Sequence, residues 1–154
     1  MKKLKYLSII LIVLFYFSAC SRVSPHTETV QFYYLRQSID YSQSMVLVSE
    51  QRTAEGATEE LLTLYLQGPL SRKMKSPFPP GTSLDHCQSN GALLSVVLSD
   101  HLAELSGIEL TIACSAIAKT CFSITNAQTI AISTVSATLN GQSALYFTED
   151  TLYP

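Results

Sequence analysis

Hydrophobic and polar positions alternate along the chain in several distinct regimes. Residues 6–17, YLSIILIVLFYF, are an unbroken apolar run behind a basic start, Met1-Lys2-Lys3-Leu4-Lys5, and they lead into Phe17-Ser18-Ala19-Cys20. Beyond a short polar stretch containing Pro25, two aromatic- and aliphatic-rich segments read as strands, Val30–Leu35 and Met45–Glu50. A helix follows. Thr58 is the expected cap, Glu59 and Glu60 occupy the first turn, Leu61, Leu62, Tyr65 and Leu66 form the apolar stripe, and Gly68-Pro69 ends it.

Residues 70–81, LSRKMKSPFPPG, read as a loop. Strands are expected at Ser83–Gln88 and Leu93–Leu98, joined through Ser89-Asn90-Gly91. In a second helix Leu110, Ala113, Cys114, Ile117, Cys121 and Ile124 share one face, and Ser106 with Glu109 has the spacing of a capping box. A strand Thr129–Val135, a turn Leu139-Asn140-Gly141-Gln142 and a strand Ser143–Phe147 complete the order β-β-α-β-β-α-β-β. The expected fold class is α+β, a mainly antiparallel sheet with two helices packed on one face. It occupies residues 30–147, with 148–154 as a solvated tail.

The N-terminal run is too short for a spanning helix. Tyr6 to Ala19 is 14 residues, against the roughly 20 that a bilayer requires. A basic start, a short apolar core and small residues before a cysteine are the form of an export signal, residues 1–19, and Ser18-Ala19-Cys20 resembles the bacterial lipobox. Cleavage before Cys20 makes that cysteine the lipidated N-terminus, with residues 20–29 as linker. Each buried acyl methylene contributes about 0.8 kcal/mol, so two or three chains hold the protein at a membrane. The expected location is the extracytoplasmic face of the cell membrane.

Removal of Lys2, Lys3 and Lys5 takes the formal charge from −2 to −5. A mildly acidic chain of 135 residues without a basic stripe argues against a nucleic-acid partner. Three cysteines then remain, Cys87, Cys114 and Cys121. Cys114 and Cys121 lie about 10.5 Å apart along one helix, beyond disulfide reach. At most one bridge, from Cys87 to one of the other two, is open, and three reduced thiols are expected.

Several residues point to a family. Leu66-Gln67-Gly68-Pro69 closes a helix, a proline-containing loop follows, and Pro79-Pro80-Gly81-Thr82 precedes the strand Leu93–Leu98. Then come Asp100, a helix containing Thr120, the strand Ile130–Ile132 and Asn140-Gly141. In order and spacing this resembles the GerMN domain of spore germination and sporulation proteins of Gram-positive bacteria. Cys121 stands where the pattern usually has Leu after the helical Thr, and His86-Cys87 where more ordinary strand residues are usual. The resemblance implies an α+β domain, frequent lipid anchoring, and a non-catalytic interaction or assembly role in the envelope.

Candidate chemistry is sparse. Cys87 with His86 or His101 is the only cysteine–histidine pairing that could make a nucleophile, and on a strand the adjacent His86 and Cys87 point to opposite faces. Asp85, His86, Cys87, Asp100 and His101 lack the paired spacing of zinc sites, so neither a metal nor a cofactor is expected. There is no G-x-S-x-G elbow and no phosphate-cradling glycine motif. The carboxylate pairs Glu59-Glu60 and Glu149-Asp150 suit a helix start and a solvated tail.

The one cationic cluster is Arg72, Lys73 and Lys75 beside Pro77, Pro79 and Pro80. It is the candidate interaction site, together with exposed sheet edges. The expectation is a protein partner or self-assembly, with no small-molecule substrate and no enzymatic activity. The alternative is a small envelope hydrolase or metal-binding protein using Cys87, His86 and His101. A two-lobed solute receptor would need more chain than is available here.

Overall fold

The computed structural model describes residues 28–39 and 45–152. The signal, Cys20 and most of the linker lie outside the described residues. The elements run β1 (Glu28–Arg36), β2 (Leu47–Ala54), α1 (Thr58–Leu66), β3 (Met74–Lys75), β4 (Leu84–Asn90), β5 (Leu93–Leu98), a 3-10 turn (Asp100–Glu104), α2 (Gly107–Ile124), β6 (Thr129–Thr134), β7 (Leu145–Thr148) and α3 (Glu149–Leu152).

The fold class is α+β, as expected, but the strands form two sheets. One is antiparallel in the order β2-β1-β3; the other is mixed, in the order β4-β5-β6-β7. Strands β5 and β6 are parallel, Leu93 to Leu98 pairing in register with Thr129 to Thr134. The reason is connectivity. An 18-residue helix carries the chain back to the start of the sheet, so β6 runs the same way as β5.

Helix α2 is long and apolar enough to cross a membrane by length and composition alone. Here it is the core helix. Leu110, Ala113, Cys114, Ile117 and Cys121 are buried against Phe32, Tyr65, Val96, Ile130 and Ile132. Leu61, Leu62 and Tyr65 of α1 join the same core, while Leu66 packs partly buried at its margin.

Several local expectations are corrected. Strand β2 continues to Ala54, because Glu50 and Arg52 turn inward as a pair and keep the strand's alternation going. Thr58 is the first residue inside α1 and does not cap it; Ala57 takes the cap position and donates its N–H to the Glu60 carboxylate at 2.9 Å. Ser106 does occupy the cap position of α2, but its side chain makes no capping bond. The β4–β5 hairpin turns at Gly91-Ala92, with Ser89 and Asn90 still in register on β4. Within the expected 70–81 loop, Met74 and Lys75 pair with Arg36 and Leu35 of β1. The C-terminal segment is not a featureless tail: Thr148 closes β7 and residues 149–152 form a helical turn.

The free edge of β1 is sealed by side chains. Since β3 pairs only with Leu35 and Arg36, the backbone near Tyr33 needs other partners. The Tyr33 N–H donates to Thr120 Oγ1 (3.1 Å), the Tyr65 hydroxyl donates to the Tyr33 carbonyl (2.7 Å), and the Ser123 hydroxyl donates to the Gln31 carbonyl (2.6 Å). A hydroxyl on the buried face of α2 thus completes a sheet edge. That gives Thr120 its structural purpose.

Candidate functional site

The basic loop is a rigid projection. Its entry is held by a buried ion pair on β2, where Arg52 Nε donates to Glu50 Oε2 at 2.7 Å. The Arg52 side chain is 7% exposed and that of Glu50 11%. Arg52 Nη2 also donates to the Gly68 carbonyl (2.7 Å) and to the Tyr34 hydroxyl (3.3 Å), which in turn donates to the Tyr65 carbonyl (2.9 Å). The guanidinium lies over the Phe32 ring, 5.1 Å from its centroid.

Glu50 receives the N–H groups of Leu70 (3.1 Å) and Ser71 (2.8 Å). Burial pushes the Glu50 carboxyl up, but Arg52 and those two backbone donors outweigh it and hold the group below its ordinary value. Gly68 sits at φ +97°, a conformation in which only glycine is unstrained, and this turns its carbonyl onto Arg52. The Leu66-Gln67-Gly68-Pro69 sequence is therefore the docking point of a charged pair. Sequence reasoning missed that pair, although Glu50 and Arg52 at alternate strand positions carry the signal.

The far end of the loop is fixed as firmly. Gln37 N–H donates to the Lys73 carbonyl (2.7 Å), and the buried Phe78 packs edge-on against Tyr65 with centroids 5.4 Å apart. Thr82 folds back on Pro79, its hydroxyl donating to the Pro79 carbonyl at 2.9 Å. Gly81 is at φ +89° and lies against His101, so a Cβ there would come within 3.2 Å of the imidazole. Between these anchors Arg72, Lys73 and Lys75 are all exposed, and none has an ion-pair partner among the described residues. Three unneutralised cations are held outward by a framed loop.

Asp100 is a clamp. It accepts the N–H groups of Ser136 (2.9 Å) and Ala137 (3.0 Å), and the Ser136 hydroxyl, tying the start of the 3-10 turn to the β6–β7 connection. The Ser136 hydroxyl above all, then those two backbone donors, lower its carboxyl from 3.8 to about 2. The folded value lies below the unfolded one, so the clamp's contribution is complete above pH of about 4 and is lost as pH falls towards 2. Asp100→Asn should flatten the acid limb of thermal stability in that window. An unchanged limb in a pH-resolved melting series would contradict this role.

The remaining candidates do not converge. His86 Nδ1 lies 2.8 Å from Asp85 on exposed β4, and His101 Nδ1 lies 2.8 Å from Glu104 on the 3-10 turn. Cys87 is half-buried, its thiol raised by burial and then by the charge of Glu59, the reverse of what a nucleophile requires. Cys114 and Cys121 are buried free thiols, Cys114 pushed up to about 12 by burial. No group of three or more His, Cys, Asp or Glu among the described residues is placed to hold a metal. Glu59 and Glu60 fall in the first turn of α1, and Glu149 and Asp150 in that of α3.

Comparison with known proteins adds the following. The family model Germane, described as sporulation and spore germination, matches residues 31–144. No curated protein matches the sequence. The first GerMN domain of the sporulation protein GerM from Bacillus subtilis superposes with a TM-score of 0.58 at 8% identity, over 76% of this chain and 92% of that one. The tandem GerMN domains of the same protein give 0.55 at 14% identity, over 81% of this chain and 43% of theirs, so the chain spans less than half of the tandem. At such identities the likeness is one of fold.

Proposed function

The chain belongs to the Germane family of sporulation and spore germination proteins, and on that basis we propose that it is a membrane-tethered interaction module of the cell envelope. In this reading it presents the Arg72–Lys75 loop to a partner and catalyses no reaction. The observation that carries the reading is the loop itself: three exposed cations without ion-pair partners among the described residues, on a segment held at both ends by buried contacts. Loops on rigid scaffolds are where recognition concentrates. The groups that could have done chemistry are otherwise engaged, Asp100 as a clamp and Thr120 as an edge seal.

Tethering through Cys20 at the extracytoplasmic face is supported by the residues around it, Phe17-Ser18-Ala19-Cys20 behind a short apolar run. Mass spectrometry of the mature N-terminus should find a diacylated cysteine; an intact Met1 or an unmodified cleaved end would remove the tether from the account. Three charges supply about 3 kcal/mol at most near an anionic surface, helpful only beside a lipid anchor.

Reversing Arg72, Lys73 and Lys75 to Glu should reduce crosslinked partner in the native membrane several-fold, with an unchanged melting temperature. Full capture by the triple variant would overturn the loop's role.

A further inference from the structure

Beside the basic loop lies a groove of about 360 Å³ between the proline segment and the first turns of α2. Phe78, Leu105 and Ile112 supply its apolar walls; Lys75 lies on one side, Glu104 and Glu109 on the other. Ile108, one turn before Ile112, is 65% exposed and extends the apolar surface outward. Neither Lys75 nor Glu109 has an ion-pair partner among the described residues, while Glu104 holds His101. The walls are preformed, since Phe78 is fixed on Tyr65 and its N–H donates to Ser76 Oγ at 3.1 Å.

From this arrangement we propose that the groove docks an extended segment of a partner protein. The segment seats an aliphatic or aromatic side chain on Phe78 and Ile112, with an acidic residue toward Lys75 and a basic residue toward Glu104 and Glu109. The inference rests on the interaction reading above and names its partner's chemistry. Three physical points favour a peptide. The volume takes a large side chain, within the usual range of ligand pockets, and not a folded element. Charges of opposite sign on opposite sides suit a segment carrying both signs, whereas Glu104 and Glu109 would repel an anionic lipid surface. A preformed groove also spares the ordering cost that weakens binding to mobile surfaces.

The test uses the full-length protein in its native membrane, with p-benzoylphenylalanine in place of either Ile108, beside the groove, or Val135, an exposed control. The Ile108 adduct should be a protein segment with an apolar residue between an acidic and a basic one. A synthetic peptide of that segment should bind the purified protein and lose at least tenfold in affinity to Lys75→Glu. Changing the peptide's acidic residue to Lys should restore binding to that variant. Adducts at Val135 alone, a lipid adduct, or a peptide indifferent to Lys75→Glu and Glu109→Lys would overturn the groove while leaving the interaction reading standing. Absence of any protein adduct at either position, together with full partner capture by the loop-reversed variant, would remove both.

Discussion

Arg52→Met should lower stability by about 3–5 kcal/mol, a fall in melting temperature on the order of 10–20 °C for a domain of this size. The side chain is nearly the same length, so packing is little changed. What is left behind is the Glu50 carboxylate, 11% exposed, with its Arg52 partner gone. The Gly68 carbonyl loses its donor as well, so the entry to the basic loop loosens together with the core. Adding Glu50→Gln should recover part of the loss, because it removes the unpaired charge; in a double-mutant cycle the two changes must couple. Additive losses in chemical denaturation would show that the pair does not act as a unit.

Ile117→Asp should abolish cooperative unfolding altogether. Ile117 lies in the middle of α2 and is buried among residues of both helices and both sheets. An unpaired carboxylate there costs several kcal/mol beyond the lost apolar burial, against a total stability of about 5–15 kcal/mol. The paired control is on the same helix. Ile108→Asp, at an exposed position, should change stability by no more than about 0.5 kcal/mol. Calorimetry of the two variants separates helix propensity, which they share, from burial, which they do not. A cooperative transition near the wild-type temperature for Ile117→Asp would contradict the core assignment.

What could be read along the chain was set by local physics. The helix stripe Leu110, Cys114, Ile117 and Cys121 follows from a 3.6-residue period, and the Asn140-Gly141 turn from residues that tolerate positive φ, here 50° and 80°. The division into two sheets and the parallel β5–β6 pair were not legible, since strand partnership is decided by the path of the connection between them. The near-continuous apolar character of Leu93–Leu98, on the chain beside a long helix, was the available hint.

At the site, the exposed basic residues were visible as composition, but their frame was not. Arg52 looked like the polar end of a strand, and only its spatial neighbours Glu50, Tyr34 and Gly68 make it the anchor of the loop. Likewise Asp100 and His101 were open candidates for metal chemistry until their partners, Ser136 and Glu104, were placed. Spacing in sequence says which groups exist; whether they meet depends on contacts of long sequence separation.

The central claim is that this molecule works by contact through its loop and not by chemistry at Cys87, His86 and His101. The most direct measurement is quantitative in-cell crosslinking of the native partner to two variants in parallel: Arg72→Glu/Lys73→Glu/Lys75→Glu, and His86→Ala/Cys87→Ala/His101→Ala. The account predicts that the first loses partner capture several-fold and the second retains it at wild-type level, both with cooperative melting. Full capture by the loop variant, with loss in the histidine and cysteine variant, would contradict it.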